Sequence, residues 1–379
     1  MRLRPIATAC VLAGITLLLH GYRLTLAPVT PTESVFNAQS RAVRSGTTPV
    51  FFHLSGEHWL QPLPVYTNTA ARAIGGDDVS GRVVSAVTSA VCVALLFLIA
   101  QEITGLAWVA VVASVILMVT PAYWSFAQLG TDVLSPVPLI LLWLWNLLRF
   151  FKADSIRSLA ASAALLGLSV YSHPAAPLTA MFLWLLTIAV ARRRNRARLA
   201  VATAIFSATW LPAAFWFVRH PDTYPDTFGR WFIFAAHLRN PLDGFRAFIN
   251  PGTLGNRASM YWGFWDPSWL FFRTPDAAAP LLIIAAPFIA LGVMRCLRHL
   301  SRDTAPLVLG TTLLAPLAGA TFGVPHFLSD AAAVLPILAL LSALGVEQLV
   351  RLLTRRPLED AVAVAAVDGW NDDDALPRA

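Results

Sequence analysis

The sequence predicts an all-α integral membrane protein of about ten transmembrane helices, with two large outside loops that carry short interfacial helices. Three observations predict it. Only 13% of the 379 residues are charged and 57% are hydrophobic, where a soluble protein carries roughly 25% charged residues. Apolar runs of about 20 residues, enough to cross a bilayer, recur along the chain. The arginines gather between those runs, as in Arg192 to Arg196 and Arg295 to Arg302. This composition excludes a disordered chain, a disulfide scaffold and an ordinary cytosolic enzyme. The net charge of +7 marks topology and not a nucleic-acid face, because its clusters are interleaved with apolar segments. Cys10, Cys92 and Cys296 are too scattered for a disulfide framework or a zinc spacing.

The spans begin near Pro5, Val83, Leu106, Val133, Leu159, Ala175, Leu199, Ala278, Ala305 and Phe327. The first follows Arg2 and Arg4 and lacks a clear small-x-small cleavage site, so it reads as an uncleaved anchor. With the N-terminus in the cytoplasm, 17 of the 28 basic residues fall inside. The short outside turns 121–132, 172–174 and 323–330 contain no Lys or Arg, as the positive-inside rule requires of short connections. Both termini are then cytoplasmic. Residues 1–356 read as one transmembrane domain with outside loops at about 23–81 and 219–277. Residues 357–379 read as a disordered acidic cytoplasmic tail.

The first outside loop is patterned as a folded segment. Pro31-Thr32-Glu33-Ser34 is a helix start in which Thr32 caps and Glu33 suits the positive helix end. Val35, Ala38, Ala42 and Ser45 continue at helical spacing, and Gly46 stops the helix. Pro49 to His53 is extended, and a second short helix is expected from about Pro64 to Ala73, before Gly75-Gly76. The apolar faces of both helices suit the membrane surface. The second loop is rich in aromatic residues and proline, notably from Tyr261 to Phe272. Trp and Tyr of this kind belong to the headgroup layer and equally form stacking platforms for sugars.

In order and spacing, these pieces resemble the polyprenyl-phosphate-sugar-dependent GT-C glycosyltransferases, the group of bacterial protein O-mannosyltransferases and aminoarabinose transferases. The pieces are Glu33, Gly46, Pro49-Val50-Phe51-Phe52, Gln61-Pro62-Leu63-Pro64-Val65-Tyr66 and Arg82. They continue with Leu168 to His173, Asp266 to Phe271, His326 and Pro336. The resemblance covers most of the chain up to about Arg356. It departs at one place that matters: the family opens its first-loop helix with an Asp-Glu pair, and here the pair is Thr32-Glu33. The family also often has an Arg after the His of the last outside turn, where this chain has Ser329-Asp330.

The resemblance implies a membrane glycosyltransferase of the inner cell membrane that moves a sugar from a polyprenyl-phosphate carrier to a periplasmic or extracellular acceptor, with inversion. The acceptor could be a glycan, a lipid or a protein. Such transfer needs a base for the acceptor hydroxyl and positive groups for the departing phosphate. Glu33 is the first candidate for the base or for orienting the acceptor, against the plainer reading of a carboxylate that only favours the helix dipole. Glu57 is the alternative carboxylate. Arg82 and Arg257 are candidates for phosphate, His326 and His173 for phosphate or acceptor, and Gln61, Tyr66 and Asp266 for substrate. Each also has a structural reading: a snorkelling or solvated arginine, a histidine at the membrane edge, loop hydrogen bonding, or, for Asp266, the start of a turn. His53, His58 and His237 with Asp222 and Asp226 have no recognised ligand spacing, so neither metal nor cofactor is expected.

Two rival functions remain at this point. A non-catalytic relative that binds a lipid-linked sugar, or assembles with an active transferase, is motivated by Thr32. A transporter would require ionisable residues in mid-span and, commonly, duplicated halves. The sequence shows almost none of the former and no internal repeat.

Overall fold

The computed structural model describes residues 3–22, 24–25, 28–46, 49–54, 58–75, 79–192, 194, 196–221, 250–272, 279–321 and 327–368. The described chain is almost wholly helical. Helix α1 spans Leu3–Gly21, and the first loop holds α2 (Pro31–Arg44) and α3 (Pro62–Gly75). The bundle continues through α4 (Ser80–Thr104), α5 (Ala107–Val119), α6 (Pro121–Ala127), α7 (Val137–Ala153), α8 (Ile156–Leu168), α9 (Ala176–Ala191), α10 (Arg196–Thr209) and α11 (Leu211–Arg219). After the second loop, whose described part forms α12 (Pro251–Phe264) and α13 (Pro267–Phe271), come α14 (Ala285–His299), α15 (Thr304–Leu314), α16 (Leu317–Ala320) and α17 (Val334–Asp368).

Each apolar segment expected from the sequence contains a helix, although those beginning near Val133, Ala278 and Phe327 become helical only at Val137, Ala285 and Val334. Among the described residues, three helical stretches are long and apolar enough to cross a membrane: Ser80–Thr104, Arg196–Arg219 (α10 with α11) and Val334–Thr354. Helices α5 and α6 add a fourth if counted as one span, bent by 67°. The break follows from Pro121, which forces Thr120 out of the helical region to ψ 122° and starts α6 as a new N-terminal turn. The remaining apolar helices are shorter.

The core is continuous through the bundle. Helix α4 packs on α1, α5 and α7, and α17 packs on α5 and α14. The α14–α17 crossing is made by glycine. A Cβ on Gly292 would fall 1.9 Å from the Leu341 carbonyl oxygen, and one on Gly345 would fall 1.9 Å from that of Phe288. Small residues let two spans approach backbone to backbone where lipid offers no hydrophobic drive to pair them.

Helix α17 runs on through Pro357 to Asp368, within the segment read from the sequence as a tail, and residues 369–379 lie outside the described residues. The run Leu358 to Val367 is rich in Ala, Val and Leu, with Glu359 and Asp360 near its start. Its content of helix-forming residues extends the helix despite the proline.

The two ends of the bundle are chemically different. At one end, Lys152 pairs with Glu102, Arg198 with Asp154 and Arg194 with Asp303. All of these lie in the segments assigned to the inside. At the other end sits the folded first loop.

Candidate functional site

The first loop is a small domain with its own core. Phe52–Leu54 and His58–Leu60 form a two-stranded antiparallel hairpin, with Phe52 opposite Leu60 and Leu54 opposite His58. Phe36 of α2, Phe52, Leu60 and Val65 of α3 are buried together. Gly46 takes φ +108°, a conformation glycine adopts without strain, and so ends α2 and turns the chain toward the hairpin. The sequence expected an extended segment here, and it pairs as a strand.

The loop is fastened to the bundle through Glu33. Thr30, not Thr32, is the N-cap of α2. Its side chain accepts from the Glu33 amide, and the Glu33 carboxylate accepts from the Thr30 amide, closing a capping box. Thr32 is exposed at the first turn. Thr30 and Thr32 are chemically equal as caps, and Pro31, as the first helical residue, settles the choice for Thr30.

Glu33 is buried, at 2% exposure, and all its acceptor positions are used. Oε1 accepts from Arg82 Nε at 2.7 Å and from the Gly130 amide at 2.7 Å. Oε2 accepts from the Thr30 amide at 2.7 Å and from Arg82 Nη2 at 2.8 Å. Arg82, at the start of α4, is equally committed: Nη1 donates to the Leu24 carbonyl and Nη2 to that of Pro28, both at 2.7 Å. Burial pushes the Glu33 pKa up from its ordinary 4.5, but the donors from Arg82, Thr30 and Gly130 outweigh it and hold the carboxyl at about 2.

A second polar cluster ties α2 and α3 to α4. Asn37 Oδ1 accepts from Arg72 Nη2 at 2.9 Å and from Asn68 Nδ2 at 3.3 Å, while Ser80 donates to Asn68 Oδ1 at 2.5 Å. The buried face of α2 is therefore Glu33, Phe36, Asn37 and Ser40. Polar residues turn inward because each finds a partner there.

The hairpin side of the loop reaches across the bundle. Phe51 packs on Tyr171 and on Trp216 of α11, with ring centroids 6.2 and 4.9 Å apart. Tyr171 donates to the Thr209 carbonyl at 2.7 Å. His173 is buried in the turn between α8 and α9, where Nδ1 accepts from the Ala175 amide at 3.1 Å and Nε2 lies 3.8 Å from Asp330 Oδ1. The turns at Gly130, His173 and Asp330 therefore share the end of the bundle that the first loop occupies.

The other expected site residues are placed as follows. Gln61 lies between the hairpin and α3, with its Oε1 buried and without a hydrogen-bond partner. Tyr66 donates to the Pro49 carbonyl at 3.1 Å. Arg257 is buried in α12 at 9% exposure. Asp266 caps α13, accepting from the Ser268 amide at 2.9 Å and from its hydroxyl at 2.7 Å. Glu57, His326, His237, Asp222 and Asp226 lie outside the described residues. Only the backbone of His53 and His58 is described, in the two strands. No group of three or more His, Cys, Asp or Glu side chains able to hold a metal occurs among the described residues.

Sequence reasoning found Glu33 and Arg82 separately and missed that they form one pair. It also missed Thr30, Gly130 and Asn37. The available signal was the Thr-x-x-Glu spacing of 30 and 33, which is the capping-box pattern. Nothing local marks Gly130, which meets Glu33 from 97 residues away.

Comparisons with known proteins agree with this architecture. Residues 61–216 match the family described as dolichyl-phosphate-mannose-protein mannosyltransferase. The structure of ArnT from Cupriavidus metallidurans bound to undecaprenyl phosphate aligns with a TM-score of 0.59 and 14% identity, over 96% of this chain and 63% of that one. The apo structure of the same protein aligns at a TM-score of 0.46 and 12% identity, over 90% of this chain and 76% of that one. No curated protein matches in sequence. The chain thus spans 63% of the length of the first of these solved chains. Its fold is that of this ArnT structure, and residues 61–216 are similar in sequence to the mannosyltransferase family named above.

Proposed function

We propose that the chain is a ten-span glycosyltransferase of the inner cell membrane, with both termini cytoplasmic. In this reading it moves one sugar from a polyprenyl-phosphate carrier to an acceptor on the far side, inverting the anomeric centre by single displacement. The observation that carries the reading is the fold shared over 96% of the chain with a structure bound to undecaprenyl phosphate. The folded first loop, fastened over one end of the bundle, supports it as the wall of a site that a lipid donor enters from the bilayer.

Of the two candidate carboxylates of the first loop, we assign the base to Glu57, because Glu33 is already fully used. A carboxylate offers about four lone-pair positions, and the donors from Arg82, Gly130 and Thr30 fill those of Glu33. Glu33 then acts as a positioning residue that holds the loop. Arg82 shares that role, which leaves Arg257 as the arginine for the departing phosphate, where charge builds as the bond to the sugar breaks. His173, facing Asp330, and Gln61, with its unsatisfied oxygen, are the polar groups assigned to substrate.

A second reading, the non-catalytic relative, is favoured by one observation. The position where the family carries its Asp is the exposed Thr32, and the neighbouring Glu33 is fully engaged. Membranes containing the protein separate the two readings. Wild type transfers label from a polyprenyl-phosphate sugar, and Glu57→Gln lowers turnover roughly 100- to 10,000-fold, the usual contribution of general base catalysis. A wild type silent with every plausible donor, and woken by Thr32→Asp, would establish the second reading.

A further inference from the structure

The end of the bundle opposite the first loop holds a recess that sugar transfer does not use. One turn beyond the glycine contact of α14 and α17 come Arg295 on α14 and Glu347, Gln348 and Arg351 on α17. Arg295 Nη2 donates to Glu347 Oε1 at 2.7 Å, and Arg351 Nη2 donates to the same oxygen at 2.7 Å. Two guanidiniums thus converge on one carboxylate, whose charge balances only one of them. A cavity of about 260 Å³ opens there, lined by Arg295, His299, Gln348, Arg351 and Leu352. A second of about 380 Å³ shares Arg295 and His299 and extends toward the 300–304 turn. Its other charged groups, Lys152 with Glu102 and Arg194 with Asp303, are already paired.

Three buried side-chain atoms at this recess have no hydrogen-bond partner: Arg295 Nε and Gln348 Oε1, on residues each 7% exposed, and Glu347 Oε2. Leaving such donors and acceptors unsatisfied is costly. A ligand that meets them brings an anionic oxygen for the arginine and hydroxyls for Gln348 and Glu347. Excess positive charge between spans suits a lipid headgroup at the bilayer edge, and Leu352 supplies an apolar margin.

We propose that this recess binds the headgroup of an anionic, hydroxyl-bearing phospholipid such as phosphatidylglycerol, its phosphate on Arg295 and Arg351 and its hydroxyl on Gln348. The site is independent of the transfer reaction. It lies at the end carrying the Lys152, Arg194 and Arg198 ion pairs, away from the first loop.

Native mass spectrometry of the purified full chain, delipidated and then offered phosphatidylglycerol or phosphatidylcholine, tests it. Wild type retains phosphatidylglycerol in preference to phosphatidylcholine. Arg351→Gln with His299→Ala, and separately Gln348→Leu, weaken retention about tenfold. Arg351 is half exposed, so its replacement leaves the fold intact, and Gln348→Leu provides a second variant without charge change. Equal retention of the two lipids by wild type overturns the proposal, as does undiminished phosphatidylglycerol binding by both variants. Displacement of the lipid by millimolar inorganic phosphate alone would make it a site for free anions and overturn the lipid assignment.

Discussion

Gly81 and Gly130 meet backbone to backbone beneath the Glu33–Arg82 pair. A Cβ on Gly81 would lie 3.1 Å from the Gly130 Cα, and one on Gly130 would lie 3.1 Å from the Arg82 amide nitrogen and 3.2 Å from Glu33 Oε1. The contact lets the turn after α6 come close enough for the Gly130 amide to reach the carboxylate. Gly130→Ala should therefore cost about 1–3 kcal/mol, the usual range for overpacking, and Gly130→Val more. Denaturant unfolding of the purified protein checks it, and an Ala variant as stable as wild type would show that the turn is free to shift.

Breaking the pair itself should be worse. Glu33→Ala leaves a buried guanidinium, and Arg82→Ala leaves a buried carboxylate, each at roughly 3–5 kcal/mol. Because the two groups share one interaction, the double variant should cost clearly less than the sum of the single ones. Additive losses would mean that the pair is not a unit. Thr30→Ala, which removes only the cap, should cost about 1 kcal/mol.

The pair also sets a pH dependence. Glu33 has an ordinary pKa of 4.5 and is held at about 2 in the folded loop. Its stabilisation is fully present above 4.5 and is lost as pH falls through about 2. At neutral pH it amounts to about 3.5 kcal/mol at most, since each unit corresponds to roughly 1.4 kcal/mol. Hydrogen exchange of residues 31–44 should be flat from pH 7 to 5, after correction for intrinsic rates, and lose protection below 4.5. In Glu33→Gln the acid step should vanish.

The fold was legible in the sequence where hydrophobicity alone determines it. The apolar segments, the breaks around arginine clusters and the helical first loop all follow from runs and spacing that any window exposes. The bend at Thr120 was not read, although Pro121 carried its cause. The site was half legible. Glu33 and Arg82 stand out as charges at a helix start and a span boundary, but 49 residues separate them, and no local pattern states that they touch. Asn37 and Ser40 are polar by type, and their partners Arg72, Asn68 and Thr69 explain their burial. Gly130 is one glycine among 21 until the backbone approach makes its role specific.

The α14–α17 crossing gives a prediction of another kind. Gly345→Val or Gly292→Val places carbon where a backbone carbonyl oxygen already stands, 1.9 Å from the Cβ position in each case. Either should force the helices apart and destabilise by at least about 1–3 kcal/mol. Thermal unfolding in detergent should also show loss of phosphatidylglycerol retention, since Arg295 and Arg351 would no longer converge.

The central claim is that a carboxylate of the clamped first loop serves sugar transfer from a lipid phosphate. The most direct measurement is label transfer from a polyprenyl-phosphate sugar in membranes containing wild type, Glu57→Gln, or a Glu33→Ala and Glu57→Ala double variant. The account predicts transfer by wild type, a loss of roughly 100- to 10,000-fold in Glu57→Gln, and none measurable in the double variant. Full activity in the double variant, or no transfer by wild type across the plausible donors, would contradict it.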